Sequence, residues 1–169
     1  AYRDQLEKTV EARTQELKRA NDQLHEVVFA LESVGTAIYT VDPENGRILS
    51  VNPYAAAMLG YAVDEMSRMA VPDIDPNFPH DAFVRAQEAI REQGFIRFET
   101  VQRRKDGSLV PVEMTVRSLP VSDGQPARQI AFGVEISARK AAEEELRHAK
   151  TAAESASLAK SSFLANMSH

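Results

Sequence analysis

The chain has 169 residues, with 20 Lys and Arg against 25 Asp and Glu, which gives a formal net charge of −5. This length predicts one ordinary domain with extensions, and a hydrophobic share of 43% is sufficient for a core. The absence of cysteine excludes disulfides, thiolate metal sites and cysteine photochemistry. The excess of acidic over basic residues argues against nucleic acid as a partner. No apolar run reaches the roughly 20 residues that span a bilayer, so we expect a soluble, cytoplasmic segment.

The two ends of the sequence predict long helices. Residues 1–31 contain no Gly or Pro, and their apolar residues fall on a seven-residue frame. A seam this narrow favours pairing with the same helix of a second copy, although an ordinary surface helix of a monomer is the alternative. Residues 138–169 repeat the pattern. The two seams consist of Leu6, Val10, Leu17, Leu24, Val27 and Leu31, and of Ala142, Leu146, Ala149, Ala153, Ala156, Phe163 and Met167.

The middle of the chain, residues 32–137, predicts a globular domain. It contains all seven Gly and all eight Pro, and apolar alternation replaces the heptad. Because hairpin turns join the strands at both ends of this domain, we predict an α+β fold with an antiparallel sheet and helices on one face. The predicted strands lie near residues 37–41, 48–51, 96–100, 110–116 and 130–136, and the helices near residues 53–60 and 82–94. We expect Asn52 to cap the first of these helices, Pro53 to occupy its first position and Gly60 to end it. The proline-rich stretch between the two helices is predicted to be a loop.

Three short motifs of this middle region resemble those of PAS sensor domains. They are Ser50–Pro53, Arg104–Ser108 and Gly133–Lys140. The last is similar to the Asp-Ile-Thr element that closes many PAS domains, with Glu135 in place of Asp and Ser137 in place of Thr. The resemblance implies a PAS fold, with a five-stranded antiparallel sheet and coiled-coil helices at both ends.

The last ten residues, Lys160–His169, resemble the start of the H-box in bacterial sensor histidine kinases. The resemblance implies that His169 is the phosphoacceptor and that the chain forms part of a larger protein, called the intact kinase below. The kinase core, with its ATP and Mg²⁺, would then lie in cis, and a response-regulator receiver domain would be the partner in trans. The chain alone is not expected to be an enzyme. Anchoring in the inner membrane would require an upstream segment.

The junction of the last strand and the second long helix is the predicted relay site. Glu135, Ile136 and Ser137 end the strand, and the helix begins without a gap. A shift of the sheet would therefore tilt or rotate the helix. Ser137 is expected to cap the first turn, and Glu135 to hold a basic partner. The alternative is that Glu135 is only a solvated charge at the end of the strand and that Ser137 is only a helix cap.

At the hairpin tip, Arg103–Lys105 is predicted to be a solubilising turn rather than a basic binding patch.

Eight residues of the domain are candidates for lining a ligand cavity. They could equally fill the space, because a small domain needs its large apolar side chains for stability. The candidates are Met58, His80, Phe83, Ile96, Phe98, Val112, Met114 and Phe132.

We predict no cofactor and no metal. The four histidines show no paired metal-ligand spacing, and no glycine-rich phosphate loop is present. Some PAS domains supply a haem ligand from the helix that His80 begins, but His80 follows Pro79 at a typical helix start, where a solvent-facing side chain is expected. Haem, flavin or a small metabolite in the cavity is the alternative. The leading prediction is a sensory module that forms a parallel homodimer and passes a conformational signal along its helices.

Overall fold

An antiparallel sheet of five strands organises the centre of the chain in the computed structural model, which describes residues 1–168. The strand order is β2-β1-β5-β4-β3, and each neighbouring pair is antiparallel. This architecture confirms the predicted fold class. The strands are β1 (Thr36–Val41), β2 (Ile48–Val51), β3 (Phe95–Arg103), β4 (Leu109–Ser118) and β5 (Gln129–Glu135).

Four short or medium helices lie in sequence between the hairpin of β1 and β2 and the last three strands. A long helix stands at each end of the described chain. Two of the short helices occupy the proline-rich stretch that the sequence predicted as a loop. Their first turns are closed by carboxylates, because Glu65 and Asp73 each accept the backbone N–H three residues earlier at 2.8 Å. The helices are α1 (Tyr2–Ser33), α2 (Pro53–Leu59), α3 (Val63–Met66), α4 (Val71–Ile74), α5 (His80–Gln93) and α6 (Ser137–Met167).

Asn52 begins α2 and also ties it to the sheet. Its Oδ1 accepts the N–H of Ala55, as an N-cap does, and also the N–H of Ile38 in β1. Its Nδ2 donates to the carbonyl of Thr36 at 3.0 Å. Gly60 ends the helix in the left-handed conformation, with φ of 76°. The predicted cap and stop are thus confirmed, and the cap fixes α2 against β1.

The core lies between the inner face of the sheet and helices α2 to α5. In β5 the inward positions are Gln129, Ala131 and Gly133, and a glycine is required at the last of these because Met114 packs against it. A Cβ on Gly133 would lie 2.9 Å from the Met114 sulfur. Phe132 therefore lies on the outer face of the sheet, where it pairs with Ile38, and its predicted inward position is wrong.

The long helices α1 and α6 pack on nothing along most of their length. Neither contains a buried residue, and Leu17 and Leu146 are each 72% exposed. The helices themselves are as the sequence predicts, whereas their pairing into coiled coils stays a prediction. Among residues 1–168, no helix is long and apolar enough to cross a membrane.

Candidate functional site

The predicted relay junction joins β5 to α6 with one residue between them. Glu135 is the last residue of the strand, and Ser137 is the first of the helix. Between them, Ile136 is 6% exposed, and its N–H donates to the carbonyl of Pro111 in β4 at 3.0 Å. The N–H of Lys140 donates in turn to the carbonyl of Ile136. The start of α6 is therefore fixed to β4 by one buried residue.

Ser137 does not cap the helix, contrary to the sequence expectation. It lies within the first turn, and its hydroxyl donates to the Glu135 carboxylate at 2.7 Å. The basic partner of Glu135 is Arg104, whose Nη2 lies 3.6 Å from the same carboxylate oxygen. Arg104 also donates from Nε to the carbonyl of Met58 at 3.0 Å. One arginine therefore joins the β3–β4 hairpin, α2 and the relay junction.

The hairpin tip around Arg104 is more than a solvated turn. The neighbouring Lys105 pairs with Glu65 of α3 at 2.6 Å, and its ammonium lies 5.8 Å from the ring centre of Tyr61. The pKa of Glu65 is lowered, first by the hydrogen bond that its carboxylate accepts from the backbone of Ala62 and then by Lys105. The tip is thus docked on the corner between α2 and α3.

Five charged side chains join the outer face of the sheet to the first turn of α6. We call Arg97, Glu99, Glu113, Arg139 and Lys140 the junction network. Glu99 of β3 and Glu113 of β4 lie opposite each other in the strand register, an arrangement that is repulsive unless cations intervene. Arg139 supplies one cation to both, at 2.5 Å from Glu99 and 3.5 Å from Glu113. Lys140 pairs with Glu99, and Arg97 with Glu113 at 2.5 Å.

The electrostatics of the junction network favour ionised carboxylates. The pKa of Glu99 is lowered, first by the hydrogen bond from Lys140, and the pKa of Glu113 is lowered, first by the hydrogen bond from Arg97. Both carboxylates are solvent-accessible, so each pair contributes little to the free energy of unfolding. The network is better suited to orienting α6 on the sheet than to holding the fold together. The sequence analysis missed these residues, although Arg139 and Lys140 closely follow the predicted relay motif.

A second candidate site is a small internal cavity of about 60 Å³ between α5 and the inner face of the sheet. Four of the eight residues predicted to line a cavity surround it, namely Phe83, Ile96, Phe98 and Met114. The other wall residues include three glutamines, Tyr39 and Asp75, which the apolar pattern of the sequence did not indicate.

The other four predicted lining residues lie away from this cavity. Val112 is fully buried within the core, and Met58 is half-buried against another part of it. Phe132 lies on the outer face of the sheet, as described above. His80 is exposed at the first position of α5, where its side chain is in solvent rather than among apolar neighbours.

The polar groups around the cavity are paired with one another. The Tyr39 hydroxyl donates to Oε1 of Gln102 at 3.0 Å, and burial raises the pKa of that hydroxyl. Burial also raises the pKa of Asp75, whose Oδ1 accepts from the Thr100 hydroxyl at 3.0 Å. No buried side-chain nitrogen or oxygen in residues 1–168 lacks a hydrogen-bond partner. A polar lining in a mainly apolar cavity is the usual composition of a ligand site.

His169, the predicted phosphoacceptor, lies outside the described residues. The preceding residues continue α6 as a helix to Met167. In the described part of the chain, no group of three or more His, Asp or Glu side chains is arranged to hold a metal ion.

Comparison with known proteins identifies the domain. A family profile described as PAS domain matches residues 35–138. The cell-division control histidine kinases PdhS of Brucella anthropi and Brucella ovis are each 30% identical to the chain, over 153 and 167 residues. These alignments cover 88% and 91% of this chain but only 14% and 16% of the relatives. The chain therefore spans about one seventh of the length of these curated relatives.

Solved structures show the same fold. The PAS domain of an HTR-like protein from Haloarcula marismortui is 25% identical, with a TM-score of 0.56, and the match covers 70% of this chain and 99% of that one. A PAS domain from a two-component sensor histidine kinase is 24% identical, with a TM-score of 0.55, and the match covers 69% of this chain and 98% of that one. The chain belongs to the PAS domain family, and its domain is homologous to the PAS domains of sensor histidine kinases.

Proposed function

We propose that this chain is the sensory and dimerisation module of a two-component sensor histidine kinase. In this role it relays a conformational signal, from the PAS domain or from upstream, through α6 to a kinase core. The observation that carries the proposal is the junction network, since Arg139 and Lys140 in the first turn of α6 contact carboxylates on two neighbouring strands. The similarity to the PdhS histidine kinases supports the identity of the larger protein.

The relay follows from the way α6 is held. Ile136 fixes the start of the helix to β4, and Arg139 fixes its first turn to Glu99 and Glu113. A relative movement of β3 and β4 therefore changes the positions of both carboxylates under the helix. Because α6 is continuous for 31 residues, a small tilt or rotation at its start reaches its far end. The kinase core, ATP, Mg²⁺ and a receiver domain complete the function in the intact kinase.

Neutralising the junction network should change kinase output without unfolding the domain. In the intact kinase, Arg139→Gln/Lys140→Gln removes both helix cations, and we expect autophosphorylation to change several-fold because α6 loses its fixed orientation. The free energy of unfolding of this chain should change little, as for other exposed ion pairs. Autophosphorylation assays and urea denaturation measure the two effects.

The matched control is Arg147→Gln, which breaks an ion pair with Glu144 on the same helix but away from the sheet. This variant should leave output unchanged. If the wild-type protein, the control and the double variant show equal autophosphorylation, the junction network has no part in the relay.

The module should be a parallel homodimer joined along its long helices. The exposed seams of α1 and α6 have no partner within the described chain, and parallel packing brings two copies of the H-box segment together. Because the chain has no cysteine, Leu17→Cys or Ala153→Cys introduces the only thiol. Each should crosslink between chains on oxidation, whereas Gln15→Cys, on the opposite side of α1, should not. A monomeric mass at tens of micromolar without crosslinking would contradict the dimer.

We further propose that the domain holds neither haem nor flavin. The cavity of about 60 Å³ is far smaller than the roughly 300–1,000 Å³ of typical cofactor and ligand pockets. His80, the one candidate haem ligand, is exposed on the surface of α5. The purified chain should therefore show no absorption band in the visible region. A haem or flavin spectrum that persists after gel filtration would overturn this proposal.

A further inference from the structure

The two edges of the sheet differ in how their backbone groups are paired. At the β2 edge, the N–H of Ile48 donates to the carbonyl of Met69, and Arg47 forms a bridge with Ala70. At the β3 edge, no backbone group of Phe95–Arg103 bonds to any main-chain group of residues 1–168 outside β4. The nine-residue strand β3 is therefore the open edge of the sheet, with a row of unpaired N–H and C=O groups.

The β3–β4 hairpin determines which residues of β3 face this open edge. The N–H of Arg104 donates to the carbonyl of Ser108, so Arg104 faces β4. Because the direction of hydrogen bonding alternates along a strand, the odd-numbered residues of β3 present their backbone groups to the open edge. Thr100 and Gln102 are buried, so the side chains of the odd-numbered residues lie on the outer face of the sheet. These residues are Phe95, Arg97, Glu99, Val101 and Arg103.

Two charged side chains occupy the accessible part of this edge. The side chains of Arg97 and Glu99 are 63% and 43% exposed, and they take consecutive outward positions. An exposed edge accepts a further strand, and charges on it restrict which strands can pair there. A strand with the same two charges in reverse order meets that restriction. Antiparallel pairing presents β3 of a second copy in that order.

We propose that β3 pairs antiparallel with β3 of a second copy, so that two five-stranded sheets form one continuous sheet. Arg97 then lies opposite Glu99 of the second copy, and Glu99 lies opposite its Arg97. Phe95 lies opposite Val101, and the two-fold axis passes beside Phe98. This interface is separate from the seams of α1 and α6, and it does not depend on the relay through α6.

Charge complementarity selects this register. Outward residues of the two strands stay paired with each other only if the strands slide in steps that keep their alternation. The next register in one direction places Glu99 opposite Glu99 of the second copy, and the next in the other direction places Arg97 opposite Arg97. Like charges that are directly opposite destabilise a strand pair, whereas opposite charges stabilise it. One other register opposes Glu99 and Arg103, but it spans five residues instead of seven and lies at the hairpin tip, which is docked on α2 and α3.

Edge pairing connects the junction networks of the two copies. Within one copy, Arg97 pairs with Glu113, and Arg139 pairs with Glu99. Contact between Arg97 and Glu99 of the second copy completes an alternating row of cations and carboxylates across the interface. Because exposed ion pairs contribute little, the association is weak and depends on protein concentration. A dimer joined along α1 and α6 retains an open edge on each protomer, so edge pairing links such dimers into larger assemblies.

Single cysteines test the contact and its register. The chain has no cysteine, so Arg97→Cys and Glu99→Cys each introduce the only thiol. In the proposed register, the two positions are directly opposite, with Cα atoms about 5.5 Å apart, a separation that a disulfide spans. A mixture of the two variants at millimolar concentration should therefore form the mixed disulfide on oxidation. Each variant alone should not, because its two thiols are two residues out of register and beyond the roughly 7 Å limit of a disulfide.

The control for crosslinking places the thiol at the closed edge. Ser50→Cys lies on β2 at an exposed position, and it should not form a mixed disulfide with Arg97→Cys. If the Arg97→Cys and Glu99→Cys proteins form no more mixed disulfide than this control does, the interface is wrong. A disulfide between two copies of Glu99→Cys, or of Arg97→Cys, in place of the mixed one would overturn the register.

Charge reversal tests the proposed ion pairs. Arg97→Glu places carboxylates opposite each other, and Glu99→Arg places cations opposite each other, so the association constant of each variant should fall at least about tenfold. A mixture of the two variants restores both unlike pairs and should associate within about threefold of the wild-type protein. Sedimentation equilibrium measures this association as mass gained beyond the helix-joined dimer, or beyond the monomer if the seams do not pair.

The matched control for charge is Arg85→Glu, which changes an exposed arginine of α5 that pairs with Asp81 on the same helix. This variant makes the same change in net charge as Arg97→Glu, and its association constant should stay within about twofold of the wild-type value. Cooperative melting of each variant shows that its fold is intact. If the mixture of the two folded charge variants associates no better than either variant alone, the edge interface is overturned.

Discussion

Replacement of His169 by Gln is expected to abolish autophosphorylation of the intact kinase. An imidazole nitrogen can attack the γ-phosphoryl group of ATP, whereas the amide of glutamine is not a nucleophile. The transfer also depends on ATP and Mg²⁺ held in line with the acceptor, which is the task of the kinase core. The chain by itself should therefore show neither ATPase nor autokinase activity. Incorporation of labelled phosphate, measured in the intact kinase, checks the loss.

The histidine assignment has a control on the same helix. His148 lies in α6, outside the H-box segment, and its exposed side chain is 3.0 Å from the Glu144 carboxylate. His148→Gln should keep the wild-type level of labelling. Label retained in the His169→Gln protein would place the acceptor elsewhere, and label lost in both variants would point to a folding defect in the helix.

Local chemistry made much of the fold predictable. Asn52, Pro53 and Gly60 define a short helix because each has a specific role at a helix terminus, and all three occupy the predicted positions. Asp106 and Gly107 mark the turn between β3 and β4 for a similar reason, and Gly107 has a φ of 89°. Such signals depend only on residues that are neighbours in sequence, so they can be recognised without knowledge of the tertiary structure.

The proposed relay site was only partly predictable, because the residues that contact it are distant in sequence. Arg104 reaches Glu135 across 31 positions, and Arg139 reaches Glu99 across 40. Glu99 and Glu113 lie opposite each other because of the register between β3 and β4. A slip of one residue in this register would place the two side chains on opposite faces of the sheet. The same register explains Phe132, since alternation alone does not say which set of side chains faces the core. Apolar periodicity likewise gave no sign of the glutamines around the cavity.

Insertions into the start of α6 should produce the largest changes in signalling short of removing His169. Each inserted residue rotates the rest of the helix by about 100°. Two residues therefore turn the seam to nearly the opposite side, and four turn it by roughly 40–50°. Seven return it close to its original direction. We expect two or four inserted residues to lock autophosphorylation high or low, and seven to restore regulation.

The position of the insertion separates the seam from the junction network. An insertion after Ala138 also moves Arg139 and Lys140 away from Glu99, so seven residues there restore the seam but not the ion pairs. An insertion after Ala142 leaves both cations in place. If orientation by the network matters, seven residues should restore regulation more fully after Ala142 than after Ala138. If seven residues restore regulation equally at both positions, the direction of the seam alone determines autophosphorylation. If autophosphorylation does not depend on the length of the insertion, α6 is a passive tether.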